Sequence, residues 1–167
     1  MKRITLTLLT LIALASITLV AVRAASPHYK RGPSVVDNGA TATATGTIAG
    51  LGNGNVIVTI DFPNASGTTT CSNPGNGNQA DGQNPATPAA TSGSQLITRV
   101  KNGSVSFTVT TDPPPNPTPQ AAGCPNGQWI AAFDNITFGA GTLTVQQETF
   151  QGSGVYVTVL TTNVFLS

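Results

Sequence analysis

The segment Val56-Ile57-Val58-Thr59-Ile60-Asp61-Phe62 alternates large apolar side chains with mostly polar ones. Successive side chains of an extended chain point to opposite faces, so residues 56, 58, 60 and 62 share one apolar face. A period of two over such a run is the signature of a strand with one face in a core. The segment therefore predicts a half-buried β-strand.

Residues 95–111 carry the same pattern on both sides of a turn signal. Apolar side chains alternate with Ser and Thr over residues 104–110, and a second strand-like run precedes Asn102-Gly103. That dipeptide readily adopts the positive φ angles that a type I′ turn requires. We therefore predict a β-hairpin over residues 95–111.

Similar patterns occupy most of the remaining chain, separated by breaks such as Gly139-Ala140. These further strands are predicted at residues 43–48, 68–72, 128–138, 141–150 and 155–165. About seven strands with no helical pattern predict an all-β fold. The specific expectation is a single antiparallel two-sheet β-sandwich, Ig-like or Greek-key in style, over residues 41–167.

The first 24 residues have the organisation of a signal peptide. Lys2-Arg3 precedes an apolar run from Ile4 to Val22, and a small residue, Ala24, suits cleavage. At about 19 residues the run also approaches the roughly 20 needed to span a bilayer, so an uncleaved anchor is the alternative. Both interpretations predict a secreted or extracytoplasmic domain, with membrane contact only if the leader is retained.

The segment over residues 25–40 is polar and broken by Pro27, Gly32 and Pro33. Such breakers disfavour regular elements, so we expect an extended lead-in that does not pack. The chain that follows is long enough for one domain with its own core.

Charge is sparse along this chain, at 8% of residues. Loss of the leader would leave four basic against six acidic residues and reverse the formal charge of +1. Proteins that bind nucleic acid need clustered Lys and Arg, so the composition argues against such a partner.

Cys71 and Cys124 are the only cysteines. An even pair in an exported protein is most often joined, so we predict one disulfide. Two long irregular segments, residues 73–94 and 112–127, each adjoin one of these cysteines. Loops of this length are usually functional or disordered, and both alternatives stay open.

The inventory of reactive side chains is poor. The single histidine, His28, lies in the lead-in, which argues against nucleophilic catalysis and a zinc site. Asp81 and Asp112 lie in oxygen-rich loops and are candidate ligand-binding residues, although Asp in such places commonly stabilises turns. The remaining central acids, Asp61, Asp134 and Glu148, show no glycosidase motif. We therefore predict no enzyme activity, no cofactor and no bound metal.

Trp129 and Tyr156 are the candidate residues for stacking against a sugar ring. Trp129 shares a strand phase with Ala131 and Phe133, which instead favours burial in the core. The sequence leaves both interpretations in place.

An ordered series of short motifs spans nearly the whole chain after the leader. The motifs are Ser26-Pro27-His28-Tyr29-Lys30, Ala49-Gly50-Leu51-Gly52-Asn53, Cys71-Ser72-Asn73-Pro74-Gly75, Lys101-Asn102-Gly103, Pro113-Pro114 and Cys124-Pro125-Asn126-Gly127-Gln128. The series resembles a group of small exported bacterial proteins. This resemblance implies an envelope or secreted protein with one disulfide, and it implies no catalytic residues. The insert at residues 75–91 is longer than in that group.

These observations predict a secreted, non-catalytic β-sandwich acting as a structural or adhesive module. Its expected partner is a cell-surface or matrix polymer, or a second copy of itself. The alternative is a carbohydrate-binding module that uses Trp129 and the two long loops.

Overall fold

The computed structural model describes residues 26–98 and 100–166, which fold into ten β-strands and no helix. The predicted leader lies outside these residues. The strands are β1 (His28–Asp37), β2 (Ala42–Ala49), β3 (Val56–Phe62), β4 (Ala65–Ser72), β5 (Gln79–Asp81), β6 (Thr91–Ile97), β7 (Ser104–Thr110), β8 (Ile130–Phe138), β9 (Gly141–Glu148) and β10 (Tyr156–Val164). The all-β prediction is confirmed. The described residues include no helix with the length and apolar character needed to cross a membrane.

Hydrogen bonding divides the strands into three antiparallel sheets. Sheet A has the order β1-β2-β7, sheet B the order β10-β9-β3-β6, and sheet C the order β5-β4-β8. The sequence predicted two sheets. The structure has three because the paired chains of β3–β4 and β8–β9 bend where they pass from sheet B to sheet C.

Sheets B and C are joined by a bent two-stranded ribbon. β3 pairs with β9, and the same register continues from Ala65 opposite Phe138 into the pairing of β4 with β8. At the bend the Gly139 N–H donates to the Asn64 carbonyl over 2.9 Å. The Phe62 and Phe138 rings pack with centroids 5.1 Å apart, and a Cβ at Gly141 would come within 2.5 Å of the Phe62 ring. The absence of a side chain at Gly141 therefore leaves room for the Phe62 ring at the corner.

Buried side chains from all three sheets form one hydrophobic cluster. β3 contributes the four side chains that its alternation predicted, and all four are fully buried. Burying one such side chain contributes about 1.5 to 3 kcal/mol. Other members are Val35, Ala42, Ala44, Ile48, Val105, Phe107 and Val109 from sheet A, Leu143, Val145 and Val164 from sheet B, and Ile136 and Phe138 from sheet C.

The predicted hairpin over residues 95–111 is right in its turn and wrong in its pairing. Asn102 and Gly103 have φ angles of 53° and 66°, and the Ser104 N–H donates to the Lys101 carbonyl over 3.1 Å. Beyond that turn, however, β6 pairs with β3 in sheet B, while β7 pairs with β2 in sheet A. The dipeptide dictates only the local turn geometry. Burial of each strand's apolar side chains against distant strands decides its partner.

The expectation of an unpacked lead-in over residues 25–40 is wrong. Residues 28–37 form β1, which pairs with β2 through two register shifts that bracket Arg31. Val35 is 2% exposed, and burial raises the pKa of Tyr29 to about 12. Gly32 and Pro33 are accommodated because irregularities are tolerated on an edge strand, where half of the N–H groups have no ladder partner.

Candidate binding surfaces

The predicted disulfide joins the second long loop to β4, close to the start of the first long loop. Cys71 in β4 is fully buried and is bonded to Cys124, with an S–S distance of 2.07 Å and a Cα–Cα distance of 5.6 Å. The disulfide prediction is confirmed, and a structural disulfide indicates an oxidising, extracytoplasmic environment.

Hydrogen bonds order the first loop against β4. The Asn84 carboxamide oxygen accepts from the Thr69 N–H over 2.7 Å, and the backbones of Gly67 and Ala86 exchange two hydrogen bonds. Part of the segment predicted as loop 73–94 is strand, because β5 lies within it and β6 begins at Thr91. This loop is therefore a packed part of the fold.

The second loop packs on the first and on β8. The Gln83 N–H donates to the Ala122 carbonyl over 2.7 Å, and the Asn116 side chain accepts from the Phe133 N–H over 3.2 Å. A depression of about 260 Å³ lies between the loops. It is lined by Gln83, Pro85, Ala86, Thr87, Pro117, Ala121 and Phe133. We call it the loop depression.

The two predicted stacking residues do not form a common platform. Trp129 lies just before β8 in sheet C, and Tyr156 begins β10 in sheet B. Both are half-buried, and Trp129 belongs neither to the core cluster nor to the lining of the loop depression. The sequence pattern favoured a core position for Trp129, but β8 begins one residue later, so the strand phase does not extend to it.

Asp81 and Asp112 are exposed, at the end of β5 and after β7 respectively. The Asp112 backbone N–H donates to the Ser92 carbonyl over 2.9 Å, which joins the chain after β7 to β6. Within residues 26–98 and 100–166, there is no group of three or more His, Cys, Asp or Glu residues that could hold a metal ion.

Among the residues that the structure describes, Glu148 is the one buried acidic side chain, with 4% exposure. Its carboxylate accepts the N–H of Gly154 over 2.8 Å and the N–H of Asn55 over 3.1 Å. The hydrogen bond from Gly154 lowers the pKa of Glu148 most, and the one from Asn55 lowers it further, because both favour the charged form. Glu148 thus joins the β2–β3 loop to the β9–β10 turn, which is a structural role.

The outer surface of sheet A carries a regular array of hydroxyl groups. Three cross-strand pairs of β2 and β7 point away from the core, because the residues between them, such as Ala44 and Val109, are buried. The pairs are Thr43 with Thr110, Thr45 with Thr108, and Thr47 with Ser106. Strand geometry spaces the pairs by about 6.7 Å along the strands and the partners by about 5 Å. We call these six residues the hydroxyl face.

Hydrogen bonds hold the two ends of the hydroxyl face. The Oγ atoms of Thr43 and Thr110 lie 2.8 Å apart, and those of Thr47 and Ser106 lie 3.1 Å apart. The hydroxyls of Thr45 and Thr108, both exposed residues, have no hydrogen-bond partner among the described residues. The central pair is therefore free to exchange hydrogen bonds with a ligand.

One end of the hydroxyl face opens into a depression of about 400 Å³. Lys30 and Arg31 from β1 line it together with Thr47 and Ser106. An adjoining depression of about 220 Å³ continues along Thr45 and Thr108. The surface thus combines neutral hydroxyls with two cationic donors.

Sequence reasoning missed the hydroxyl face, although its signal was present. The runs Thr41-Ala42-Thr43-Ala44-Thr45 and Ser106-Phe107-Thr108-Val109-Thr110 each place hydroxyls at every second residue. Only the pairing of β2 with β7 brings the two runs side by side.

No protein-family model matches this chain, and neither do any curated proteins or solved structures.

Proposed function

We propose that this chain is an exported, non-catalytic module that binds a hydroxyl-rich polymer of a cell surface or matrix. The hydroxyl face is the observation that carries the proposal. Polysaccharides present repeating hydroxyl groups that both donate and accept hydrogen bonds, and a Thr or Ser hydroxyl does the same. A regular array on a rigid sheet can meet such a repeat without ordering flexible side chains.

The chemistry of the described residues supports a binding role over catalysis. His28 is exposed on β1, and its Nδ1 bonds to the Ser26 carbonyl over 2.9 Å. The one buried carboxylate, Glu148, is already engaged by backbone N–H groups. Low overall charge also suits contact with a neutral polymer, because affinity then rests on hydrogen bonds and shape.

Export is part of the same proposal. The pattern of residues 1–24 is that of a signal peptide, and the disulfide between the two cysteines is consistent with an oxidising compartment outside the cytoplasm. We propose that sheets A and B pack face to face as the two layers of a sandwich, since one core cluster receives side chains from both. The hydroxyl face would then be the exterior of one layer.

The loop depression supports a second candidate, a carbohydrate site formed by the two long loops. Its lining residues include Phe133 and Gln83, and such a combination of apolar and polar residues is common in ligand sites. Trp129 would lie outside this site.

Retention on insoluble polysaccharides and on cell-wall material tests the proposal. The double variant Thr45→Val/Thr108→Val removes two free hydroxyls while keeping side-chain shape and β-propensity. Loss of two hydrogen bonds should weaken binding by about 1 to 3 kcal/mol, or roughly 5- to 150-fold in Kd.

The matched control is Thr59→Val/Thr144→Val, another cross-strand pair, on sheet B. Equal weakening by both double variants would contradict a site on sheet A. If Phe133→Ala weakens polymer binding and neither double variant does, the loop depression is favoured as the site. Wild-type protein that is retained on no polymer would refute the proposed function.

A further inference from the structure

β10 is the end strand of sheet B. Eight of its nine residues pair with β9 along one side, and no other strand of the described residues pairs with it, although β1 approaches part of β10. The end strand of an antiparallel sheet directs alternate pairs of N–H and C=O groups outward. β10 therefore presents a row of backbone donors and acceptors for a further strand.

Two other edges in the structure carry charges, a proline or short length, which β10 does not have. β1 has Lys30, Arg31 and Pro33 along an irregular strand, and β5 is only three residues long and ends at Asp81. Charges, prolines, irregular geometry and short length are the usual means by which proteins block pairing at an edge.

The remaining edges are covered by their own chain. β6 and β7 face each other, with the Thr108 N–H donating to the Gln95 side chain over 3.0 Å. β8 is approached by the second long loop through the bond between the Phe133 N–H and Asn116.

The sequence around β10 is suited to strand pairing. Residues 149–167 contain no charged residue and no proline, and they are rich in Val and Thr, which favour strands. Val155 and Val157 are 57% and 46% exposed. The single irregularity is a register shift between Thr158 and Leu160.

We propose that β10 pairs antiparallel with β10 of a second copy, so that sheet B continues across a two-fold axis. Such pairing places the strand opposite itself, and any charge on it would face a like charge. The uncharged β10 meets no such repulsion. The formal charge is +1 for the whole chain and −2 for the four basic and six acidic residues that remain once the leader is lost, so it adds little repulsion between copies. This surface is separate from the hydroxyl face, so the two proposals can fail independently.

Sedimentation velocity over a range of concentrations tests the pairing, with protein recovered from the extracytoplasmic fraction of an exporting host. Val157→Lys should weaken the dimer at least tenfold in dissociation constant, because each of the two paired strands would then carry a positive charge. Thr161→Lys, at another exposed position of β10, serves as an independent variant. The matched control is Val36→Lys at an exposed position of β1, which should leave the dimer unchanged.

Thermal unfolding confirms that each variant folds before its assembly is compared. A wild-type protein that stays monomeric at every concentration would overturn the proposal. So would a dimer that Val36→Lys weakens as much as the β10 variants do, or one that neither β10 variant weakens.

Discussion

Removal of the disulfide should cost this protein a large part of its stability. The bond closes a loop with a sequence separation of 53 residues. For a loop of that length, restriction of the unfolded chain is worth about 4 kcal/mol at 25 °C. The double variant Cys71→Ala/Cys124→Ala should therefore lose about that much free energy of unfolding, which corresponds to a fall in Tm on the order of 10 to 20 °C.

Urea denaturation followed by Trp129 fluorescence and by far-ultraviolet circular dichroism measures this loss. Wild-type protein under reducing conditions should reproduce the result, because it also lacks the cross-link. A loss below about 1 kcal/mol would refute the idea that the bond restricts the unfolded chain. Loss of the fluorescence transition alone, with the sheet signal intact, would mean that the bond stabilises only the loops.

Three further predictions concern the core, the approach of two strands and the buried carboxylate. Phe62→Ala should lower the free energy of unfolding by about 3 to 5 kcal/mol, because it removes a fully buried ring packed on Phe138, whereas Phe150→Ala at an exposed position should change it by less than about 0.5 kcal/mol in the same urea titration. Gly93→Ala should lower Tm markedly, because a Cβ at this position would overlap the Thr110 carbonyl oxygen. Gly32→Ala should leave Tm nearly unchanged, because the space around Gly32 is open. Similar Tm values for the two variants would contradict the close approach of β6 to β7. Glu148→Gln should destabilise the protein at neutral pH, because it removes the charge that the backbone N–H groups stabilise. Since the folded-state pKa of Glu148 is lowered from 4.5, the difference in Tm between wild type and variant should shrink as pH falls from about 4.5 through that lowered pKa. A difference in Tm that does not depend on pH would exclude a role for the carboxylate charge.

The fold class followed from the sequence because alternation is a local signal. Residues 56–62 show in the structure the burial that their pattern predicts, and Asn102-Gly103 forms the expected turn. Partner choice is not local, so the turn at Asn102 misidentified β6 and β7 as a pair. Gly32 and Pro33 concealed β1 for a related reason, since an edge strand tolerates breakers that a central strand would exclude.

The candidate sites were harder to predict than the fold. Single conspicuous residues such as Trp129 drew attention because aromatic rings often bind ligands, yet its position one residue before β8 removes it from the strand phase. The hydroxyl face, in contrast, consists of ordinary Thr and Ser residues. Its character depends on the register of β2 with β7, which depends in turn on the burial of Ala44 and Val109.

Chemical-shift mapping with a soluble oligosaccharide of whichever polymer retains the protein tests the proposed function most directly. If the hydroxyl face is the binding site, the largest changes should fall on residues 43–47 and 106–110, with smaller ones at Lys30 and Arg31. Largest changes around Phe133 and Pro117 would place binding in the loop depression instead. Such a result, or the absence of any change at saturating ligand, would contradict the hydroxyl face as the site.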